Sequence, residues 1–339
     1  MSGEYILGID EGTTGATALI IDDEGRPVAR GYREIHQIYP QPGWVEQDPE
    51  ELFSASLLAC SEAIRTAGIS LGQVKGLGVT GQRETTIVWD RRTGRPVTNA
   101  IVWQCRRSAA ICEQLKAKGL SDDIRDKTGL VIDAYFSATK LRWILDHIPQ
   151  GQLRAERGEL LFGTVDSWLV WNLTGGAVHV TDYSNASRTM LFNIHTLRWD
   201  RQLLSALSIP EAVLPEVMPS CYIFGETATG LLGDHRIPIG AVVGDQQAAL
   251  FGQACHEPGM AKNTYGTGSF VLLNTGRSPV SSAGLITTIA WGMPDGVSYA
   301  LEGSIFVTGA AVQWLRDGLR VIADAAESEV LARSVPDNG

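Results

Sequence analysis

A glycine- and threonine-rich motif occurs twice in this chain, and both copies lie in the same kind of local pattern. The first copy is LGIDEGTT at residues 7–14, and the second is NTYGTGS at residues 263–269. Each copy is followed by an apolar run, which is the pattern of a strand, a turn and a second strand. The chain is therefore expected to contain two similar β-hairpins, one near each end.

The turn residues of these hairpins are suited to binding an anion. Glycine permits positive φ angles and a close approach of the backbone to a ligand. Consecutive backbone N–H groups then form a concave anion site, to which the hydroxyls of Thr13, Thr14 and Thr267 add donors. Two such hairpins facing each other would hold a polyphosphate from both sides. The repeat thus predicts a two-domain, kinase-like molecule.

Length, charge and cysteine content limit the possible classes of protein. At 339 residues the chain exceeds the usual size of one domain, so two domains are expected. The net charge of −10 argues against nucleic acid and anionic membranes as partners. The five cysteines are odd in number and scattered, which is typical of a reduced, cytoplasmic protein. No apolar run has the length of a membrane span.

Strand and helix patterns alternate along the first 250 residues, which favours an α/β fold. The first long helix is predicted to follow Asp48, which would be its N-cap, with Glu51 as the capping-box partner. Another helix is predicted over residues 310–325, near the end of the chain. These two expectations depend on local sequence alone.

A turn at residues 257–259, Glu-Pro-Gly, indicates the boundary between the two domains. We therefore assign residues 1–252 to the first domain and residues 253–339 to the second. The second domain is short for an independent unit and is expected to be incomplete. An incomplete sheet would expose an unpaired edge and an apolar face, so aggregation or dimerisation is also expected.

Two aspartates follow predicted strands at positions where ligands collect in α/β proteins. Asp10 precedes the first glycine turn and is either a turn-forming residue or a carboxylate that holds Mg²⁺ near nucleotide phosphates. Asp245, in the sequence VVGDQQ, is either a helix N-cap or a general base at the carboxyl end of a strand. The residues alone leave both alternatives open.

Four other residues are candidates for recognising a small polar substrate. Arg83 and Glu84 follow a predicted strand, and together they present a donor fork and an acceptor suited to two hydroxyls of a polyol. Alone, such a pair is more often a solvated loop. Trp103 and Tyr135 are ambiguous, because each is equally suited to an ordinary place in the core.

Taken together, these segments resemble the glycerol kinases of the FGGY carbohydrate kinase family. The resemblance runs from Tyr5 to Arg316, and its most specific stretches are GQRETT (81–86), NAIVWQCRR (99–107), DYSNASRT (182–189), GDQQAALFG (244–252) and KNTYGTG (262–268). The fold implied is a ribonuclease-H-like, actin-like ATPase fold of two domains with a cleft between them. The activity implied is the ATP- and Mg²⁺-dependent phosphorylation of glycerol to sn-glycerol 3-phosphate.

The resemblance also implies roles for individual residues. Asp245 would accept the proton of the attacking hydroxyl, and Asp10 and Asp245 would lie at the metal. The hydroxyls of glycerol would be held by Arg83, Glu84, Tyr135, Asp245 and Gln246, its carbons would pack against Trp103 and Phe270, and ATP or ADP would contact Thr13, Thr14, Gly266, Thr267, Gly309 and Gln313. The family also implies a homo-oligomer, a dimer or tetramer of the full-length protein.

The first loop departs from the family pattern Asp-Gln-Gly-Thr-Thr-Ser-Ser-Arg at Glu11, Gly15, Ala16 and Thr17, and two of these departures change a charge. Glu11 stands where the family usually has Gln, which predicts a negative charge near the phosphates. Thr17 stands where the family has Arg, whose charge it cannot replace.

Other functions stay open at this point. They are a polyol-binding protein without catalytic activity and a related kinase of pentuloses or hexuloses. A dinucleotide-binding oxidoreductase is disfavoured, because no Gly-x-Gly-x-x-Gly turn joins the first strand to a helix.

Overall fold

The computed structural model describes residues 3–266 and 268–337, which form two main sheets. The larger is a mixed six-stranded sheet with the strand order β13-β14-β5-β1-β2-β3. Its strands are β1 (Tyr5–Glu11), β2 (Gly15–Asp22), β3 (Pro27–Glu34), β5 (Val74–Gly81), β13 (Cys221–Glu226) and β14 (Pro238–Gly244), while β4 (Glu46–Gln47) lies outside it. The hairpin expected at the first glycine motif is therefore present as β1 and β2.

A long helix, α1 (Pro49–Ala67), packs on β2 and β3 with a stripe of small residues. Asp48 is its N-cap, and the Asp48 carboxylate accepts the N–H of Glu50 at 2.9 Å. The predicted capping box with Glu51 is wrong, because the Glu51 carboxylate pairs with the imidazole of His36 at 2.5 Å instead. The helix ends at Gly68, which has the left-handed φ of 66° that glycine adopts without strain.

The segment between β5 and β13 contains short helices and short strand pairs. Its strands are β6 (Ile87–Asp90), β7 (Ala100–Ile101), β8 (Leu160–Gly163), β9 (Val180–Asp182), β10 (Phe192–Asn193), β11 (Arg198–Trp199) and β12 (Glu216–Met218). Its helices are α2 (Ala109–Ala117), α3 (Ser121–Thr128), α4 (Ser137–His147), α5 (Gly151–Glu156), α6 (Val165–Leu173), α7 (Tyr183–Ala186) and α8 (Arg201–Ala206). Short 3₁₀ helices span Leu71–Gln73 and Glu211–Val213.

After β14 the chain forms α9 (Asp245–Gly252) and then an antiparallel four-stranded sheet with the order β15-β16-β18-β17. The strands are β15 (Ala261–Tyr265), β16 (Ser269–Gly276), β17 (Ile286–Met293) and β18 (Gly296–Ile305). This sheet packs directly on the first part of the molecule, since Phe270, Leu272 and Ala300 share one apolar cluster with Val88 and Phe162.

The last helices are α10 (Gly309–Asp317) and α11 (Glu327–Arg333). The helix predicted over residues 310–325 is thus wrong in its second half: α10 ends before Gly318, a residue of low helix propensity. Neither helix has a buried residue. Within the described ranges, no helix is both long and apolar enough to cross a membrane.

Candidate active site

Three strand ends deliver the candidate residues to one edge of the large sheet. Strand β5 runs parallel to both β1 and β14, and its last residue, Gly81, lies in register with Glu11 and with Gly244. The segments that follow these three residues therefore leave the sheet side by side. This is the arrangement by which parallel strands collect ligand-binding groups at their carboxyl ends.

A cavity of about 160 Å³ lies in front of these strand ends. It is lined by residues from both hairpins and from the segments between them: Thr13, Thr14, Gln82, Arg83, Glu84, Trp103, Tyr135, Asp245, Gln246, Thr264, Gly266, Gly268 and Phe270. An apolar cavity of about 150 Å³ accommodates benzene, a molecule of about six non-hydrogen atoms. The size of this cavity therefore suits a small substrate, and its charged groups suit a polar one.

Arg83 forms the charged floor of the cavity and is fully buried, with a side chain that is 2% exposed. Its Nη1 donates to the Glu302 carboxylate at 2.5 Å and its Nη2 to the hydroxyl of Tyr135 at 3.5 Å. Its Nε lies 3.3 Å from Oδ1 of Asp245. Arg83 is thus oriented by a carboxylate on one side and faces Asp245 on the other.

Glu84 is held next to Arg83 in an unusual backbone conformation, with φ of 61°. Its carbonyl accepts hydrogen bonds from Ser137 at 3.0 Å and Thr86 at 3.1 Å, while its carboxylate accepts the Nε–H of Arg188 at 2.6 Å. A non-glycine residue adopts this conformation only where its surroundings enforce it. The contacts of Glu84 therefore fix the direction of its carboxylate. The residue as a whole is 1% exposed.

Asp245 opens α9, but it is not the N-cap, because Gly244 occupies that position. The Asp245 side chain is 29% exposed and accepts the N–H of Gln246 at 2.6 Å, so one face of the carboxylate is open to the cavity. Gly244 has no room for a side chain, since a Cβ there would lie 2.9 Å from Cδ of Arg83. The glycine thus allows Arg83 to pass directly behind Asp245.

Three aromatic rings form an apolar wall beside these charges. The Trp103 ring lies edge-on to those of Tyr135 and Phe270, with centroid distances of 5.8 and 6.0 Å. The Arg83 guanidinium carbon lies 5.7 Å from the centroid of the Phe270 ring. The cavity therefore offers apolar faces for carbon atoms on one side and charged groups for hydroxyls on the other.

Asp10 and Lys262 carry charges that burial perturbs. Although water reaches the Asp10 side chain through the cleft, the surrounding protein raises the pKa of its carboxyl to about 6, and the charge of Asp245 adds to this effect. Burial, reinforced by the charge of Arg83, lowers the pKa of Lys262 to about 8. The Lys262 ammonium donates to Gln246, to the Thr264 hydroxyl at 2.8 Å and to the Phe270 carbonyl at 3.4 Å.

The two glycine turns meet the cavity from different sheets. The first turn is braced at Thr13, whose carbonyl accepts the amide N–H groups of Gln37 at 2.6 Å and Gln47 at 2.7 Å. The hydroxyl of Thr13 accepts the Nε1–H of Trp103 at 2.9 Å. In the second turn, Gly266 donates to the Gly268 carbonyl at 2.8 Å, which closes the turn on itself.

Some of the predicted site residues do not line the cavity. Asp10 is one of them, and Gly309 lies beside the second turn, where its N–H donates to the Gly266 carbonyl at 3.0 Å. Gln313 is exposed on α10. Thr267 lies outside the described residues. The other predicted site residues, Thr13, Thr14, Arg83, Glu84, Trp103, Tyr135, Asp245, Gln246, Gly266 and Phe270, all line it.

The structure corrects the expectation that Glu11 places a negative charge near the phosphates. Glu11 is 0% exposed and faces α1, where its carboxylate accepts the hydroxyl of Ser56. Burial raises the pKa of Glu11 well above its usual value, which favours a neutral carboxyl. Next to it along the hairpin, the Thr17 hydroxyl accepts a hydrogen bond from Arg30 at 3.4 Å, so a guanidinium does lie beside Thr17.

The sequence analysis did not assign several residues to the site. They are Gln82, Thr264 and Gly268, which line the cavity, and Lys262, Arg188 and Glu302, which contact its lining. Glu302 carried a usable signal, since it is an acidic residue directly after the apolar run Tyr-Ala-Leu. A charge within a buried strand indicates a partner of opposite charge.

Comparisons with known proteins match both parts of the chain. The model of the FGGY family of carbohydrate kinases, N-terminal domain, matches residues 5–252, and that of the C-terminal domain matches residues 261–337. The chain is 60% identical over 337 residues to "Glycerol kinase 2" of Thermotoga maritima, covering 99% of this chain and 68% of that protein. It is 58% identical over 340 residues to the glycerol kinase of Carboxydothermus hydrogenoformans, covering 100% of this chain and 68% of that protein.

Solved structures share the fold as well. The crystal structure of Plasmodium falciparum glycerol kinase with ADP matches with a TM-score of 0.89 at 37% identity, covering 99% of this chain and 67% of that one. A gluconate kinase from Lactobacillus acidophilus matches with a TM-score of 0.84 at 23% identity, covering 98% of this chain and 66% of that one. At that identity the second match shows the fold alone. The chain thus spans about two thirds of the length of these relatives.

Proposed function

The chain belongs to the FGGY family of carbohydrate kinases, and from this premise we propose that it transfers the γ-phosphoryl group of ATP to a terminal hydroxyl of glycerol. The product is sn-glycerol 3-phosphate, and ADP is released. One observation carries the proposal: a cavity of about 160 Å³ that combines an Arg-Glu-Asp floor with an aromatic wall and is reached by both glycine turns.

The cavity has a partner for each part of a triol. Its charged and polar groups for the hydroxyls are Arg83, Glu84, Tyr135, Asp245 and Gln246. The Trp103 and Phe270 rings pack against the carbon chain. Because glycerol has little apolar surface, selectivity comes from the hydroxyls: an analogue that lacks one leaves a buried charged group without its hydrogen bond.

Asp245 is the general base of the proposed reaction. Its carboxylate accepts the proton of the terminal hydroxyl while the hydroxyl oxygen forms a bond to the γ-phosphorus and the bond to the leaving oxygen of ADP breaks. Arg83, whose Nε lies 3.3 Å from the Asp245 carboxylate, keeps that carboxylate in place. A positioned base of this kind contributes about 10²–10⁴-fold to the rate of proton transfer.

The nucleotide binds between the turns in this proposal. Its contacts are assigned to Thr13, Thr14, Gly266, Thr267, Gly309 and Gln313. Backbone N–H groups and threonine hydroxyls of the turns donate to phosphate oxygens, which compensates charge without any covalent chemistry by the protein.

Asp10 and Asp245 are the residues that would hold Mg²⁺. Their mutual repulsion contributes to the raised pKa of Asp10, and a divalent cation held by the two carboxylates would relieve it. Among the described residues no group of three His, Cys, Asp or Glu side chains forms a metal cage. That pattern fits Mg²⁺, which is usually held by one or two carboxylates together with substrate phosphates and water. When bound, the ion supplies charge compensation at the phosphates.

One observation favours a second candidate, a polyol-binding protein without turnover. Gln313 is assigned to the nucleotide, yet it lies exposed on α10, a helix with no buried residue. If the nucleotide side is not formed, glycerol binds and no phosphoryl group is transferred. A panel of pentuloses and hexuloses tests the remaining alternative, a related sugar kinase.

The deciding experiment is the substitution Asp245→Asn, with ADP release measured at saturating glycerol and ATP. Turnover is expected to fall about 10²–10⁴-fold, while glycerol binding, followed by calorimetry, changes only a few-fold. Asp200→Asn is the matched control, because Asp200 caps α8 and does not line the cavity, and asparagine caps equally well. Unchanged turnover in Asp245→Asn contradicts the proposed role. Glycerol binding by the wild-type protein without ADP release supports the second candidate.

A further inference from the structure

Two buried charged residues stand directly behind the cavity without lining it. Glu302 lies on β18 and is 1% exposed, and Arg188, which follows α7, is 0% exposed. The resemblance to known kinases gave neither of them a role. They come from different parts of the chain: Arg188 lies in the segment matched by the N-terminal domain of the family, and Glu302 in the segment matched by the C-terminal domain.

Glu302 connects the two buried arginines. Its Oε2 accepts from Nη1 of Arg83 at 2.5 Å, and its Oε1 accepts from Nη2 of Arg83 at 3.2 Å. The same Oε1 accepts from Nη2 of Arg188 at 2.8 Å. Glu302 therefore holds the Arg83 guanidinium by both of its terminal nitrogens, a geometry that fixes the plane of the guanidinium.

Arg188 continues the network to the other residue on the cavity floor. While its Nη2 is bonded to Glu302, its Nε donates to the Glu84 carboxylate at 2.6 Å. The positive charges of Arg83 and Arg188 thus alternate with the negative charges of Glu84 and Glu302. Burial alone raises the pKa of Glu302, but the charges of Arg188 and Arg83 outweigh it and lower this pKa to about 2.

The network holds two of the residues that present charge to the substrate. Arg83 and Glu84 both line the cavity, whereas Arg188 and Glu302 contact only their far sides. A buried network in which every charge has a partner specifies one geometry, and loss of one member leaves the others with unpaired charge. The orientation of the floor therefore depends on a residue of the second sheet.

We propose that Glu302 and Arg188 are positioning residues for polyol recognition, which orient Arg83 and Glu84 and make the substrate pocket depend on correct docking of the four-stranded sheet. This rests on the proposed function, since it takes Arg83 and Glu84 as the groups that read hydroxyls. Neither positioning residue contacts the substrate, so each acts through its cavity-lining neighbour.

The test is Glu302→Gln, which keeps the size of the side chain and removes its charge. The glycerol dissociation constant, measured by calorimetry, is expected to rise at least about tenfold, because Arg83 is released from its fixed plane. Preference for glycerol over propane-1,2-diol, measured as a ratio of kcat/KM values, is expected to fall by a similar factor. The KM for ATP is expected to change less than about twofold, since the hydrogen bonds of the network reach none of the turn residues that the structure describes.

The matched control is Glu46→Gln. Glu46 pairs with the buried Arg107 at 2.7 Å and does not line the cavity. Loss of that pair is expected to lower thermal stability with little change in glycerol affinity or selectivity. If Glu302→Gln likewise loses thermal stability but keeps its glycerol affinity and selectivity, Glu302 has a purely structural role and the proposal is overturned.

Arg188→Lys keeps the proposal testable if Glu302→Gln does not fold. Lysine retains the charge but cannot bond Glu84 and Glu302 with the fork of Arg188, so an intermediate loss of glycerol affinity is expected. Wild-type affinity and selectivity in a folded Arg188→Lys overturn the proposal. The wild-type protein distinguishes failure of the proposed function from failure of the positioning role. If the wild-type protein neither binds nor phosphorylates glycerol, the proposed function is wrong. If the wild-type protein is active and Glu302→Gln has the same glycerol affinity and selectivity, only the positioning role is wrong.

Discussion

The first hairpin, β1–β2, lies inside a six-stranded sheet, whereas the second hairpin contains β15, the edge strand of a four-stranded sheet. The first is covered by α1, and its turn is fixed at Thr13 by neutral donors from Gln37, Gln47 and Trp103. The second turn is supported by Lys262, a buried cation that donates to the Thr264 hydroxyl. Similar sequences therefore form turns with different support.

This difference teaches that a shared motif specifies a turn but not its rigidity. Strand β1 has hydrogen-bonded neighbours on both sides, and its turn is built before any ligand binds. Among the described residues, strand β15 pairs with β16 alone, and Tyr265 at its end is 81% exposed. We infer that the first turn is the fixed half of the proposed phosphate site and that the second turn is its adjustable half.

Hydrogen exchange should show the largest contrast between the hairpins. Amides of β15 are expected to exchange at least about a hundredfold faster than those of β1, because opening free energies range from near zero at edges to the global value in a core. Adding ADP with Mg²⁺ should slow exchange more in the second turn than in the first. Equal protection of β1 and β15 without a ligand contradicts the inferred difference.

Removing a hydrogen bond that supports the turn should lower the free energy of unfolding more at the first hairpin than at the second. Gln47→Ala removes the donor to the Thr13 carbonyl and an acceptor for Gln82, both in a buried place, and is expected to cost about 1–3 kcal/mol of unfolding free energy. Ser269→Ala, which removes one hydrogen bond to Thr308 beside the second turn, is expected to cost about 1 kcal/mol or less. Denaturant titration measures both values, and the reverse order would contradict the prediction.

The smallest expected effect is a pH response confined to the second hairpin. As pH rises through about 8, Lys262 loses a proton and one of its three hydrogen bonds. The KM for ATP is then expected to rise about threefold, the value of one ordinary hydrogen bond. Lys262→Arg keeps its charge and should show no such step, so a step of equal size in this variant assigns the effect to another group.

The sign of the accompanying stability change sharpens this test. The folded pKa of Lys262 lies below its usual value of 10.5, so between pH 8 and 10.5 the unfolded chain binds more protons than the folded one. The contribution of this residue to the free energy of unfolding therefore increases with pH over that range. As pH rises over this range, ATP binding should weaken while Lys262 causes no loss of stability. Thermal melts at several pH values, with Lys262→Arg as the control, measure the stability change.

Local patterns were sufficient to predict much of the fold and of the site. The hairpins, the helix after Asp48 and the α/β class follow from turn residues and hydrophobic periodicity. The orientation of Glu11 was also available from the sequence. In β1, Leu7, Ile9 and Glu11 alternate with outward residues, so Glu11 faces the core and Asp10 the cleft.

The charge network was beyond such patterns. Arg83 and Glu302 are separated by 219 positions, and Arg188 and Glu302 by 114. No local periodicity joins residues so far apart, because their contact depends on how the second sheet docks on the first. The end of α10 and the side-chain partner of Glu51 likewise depend on neighbours that a sequence window does not contain.

A crystal structure of the protein with glycerol, ADP and Mg²⁺ is the most direct test of the proposed site. We expect the hydroxyls of glycerol within hydrogen-bond distance of Arg83, Glu84 and Asp245, and the ADP phosphates in contact with both glycine turns. Glycerol bound away from Asp245, or phosphates held by one turn while the other faces solvent, would contradict it.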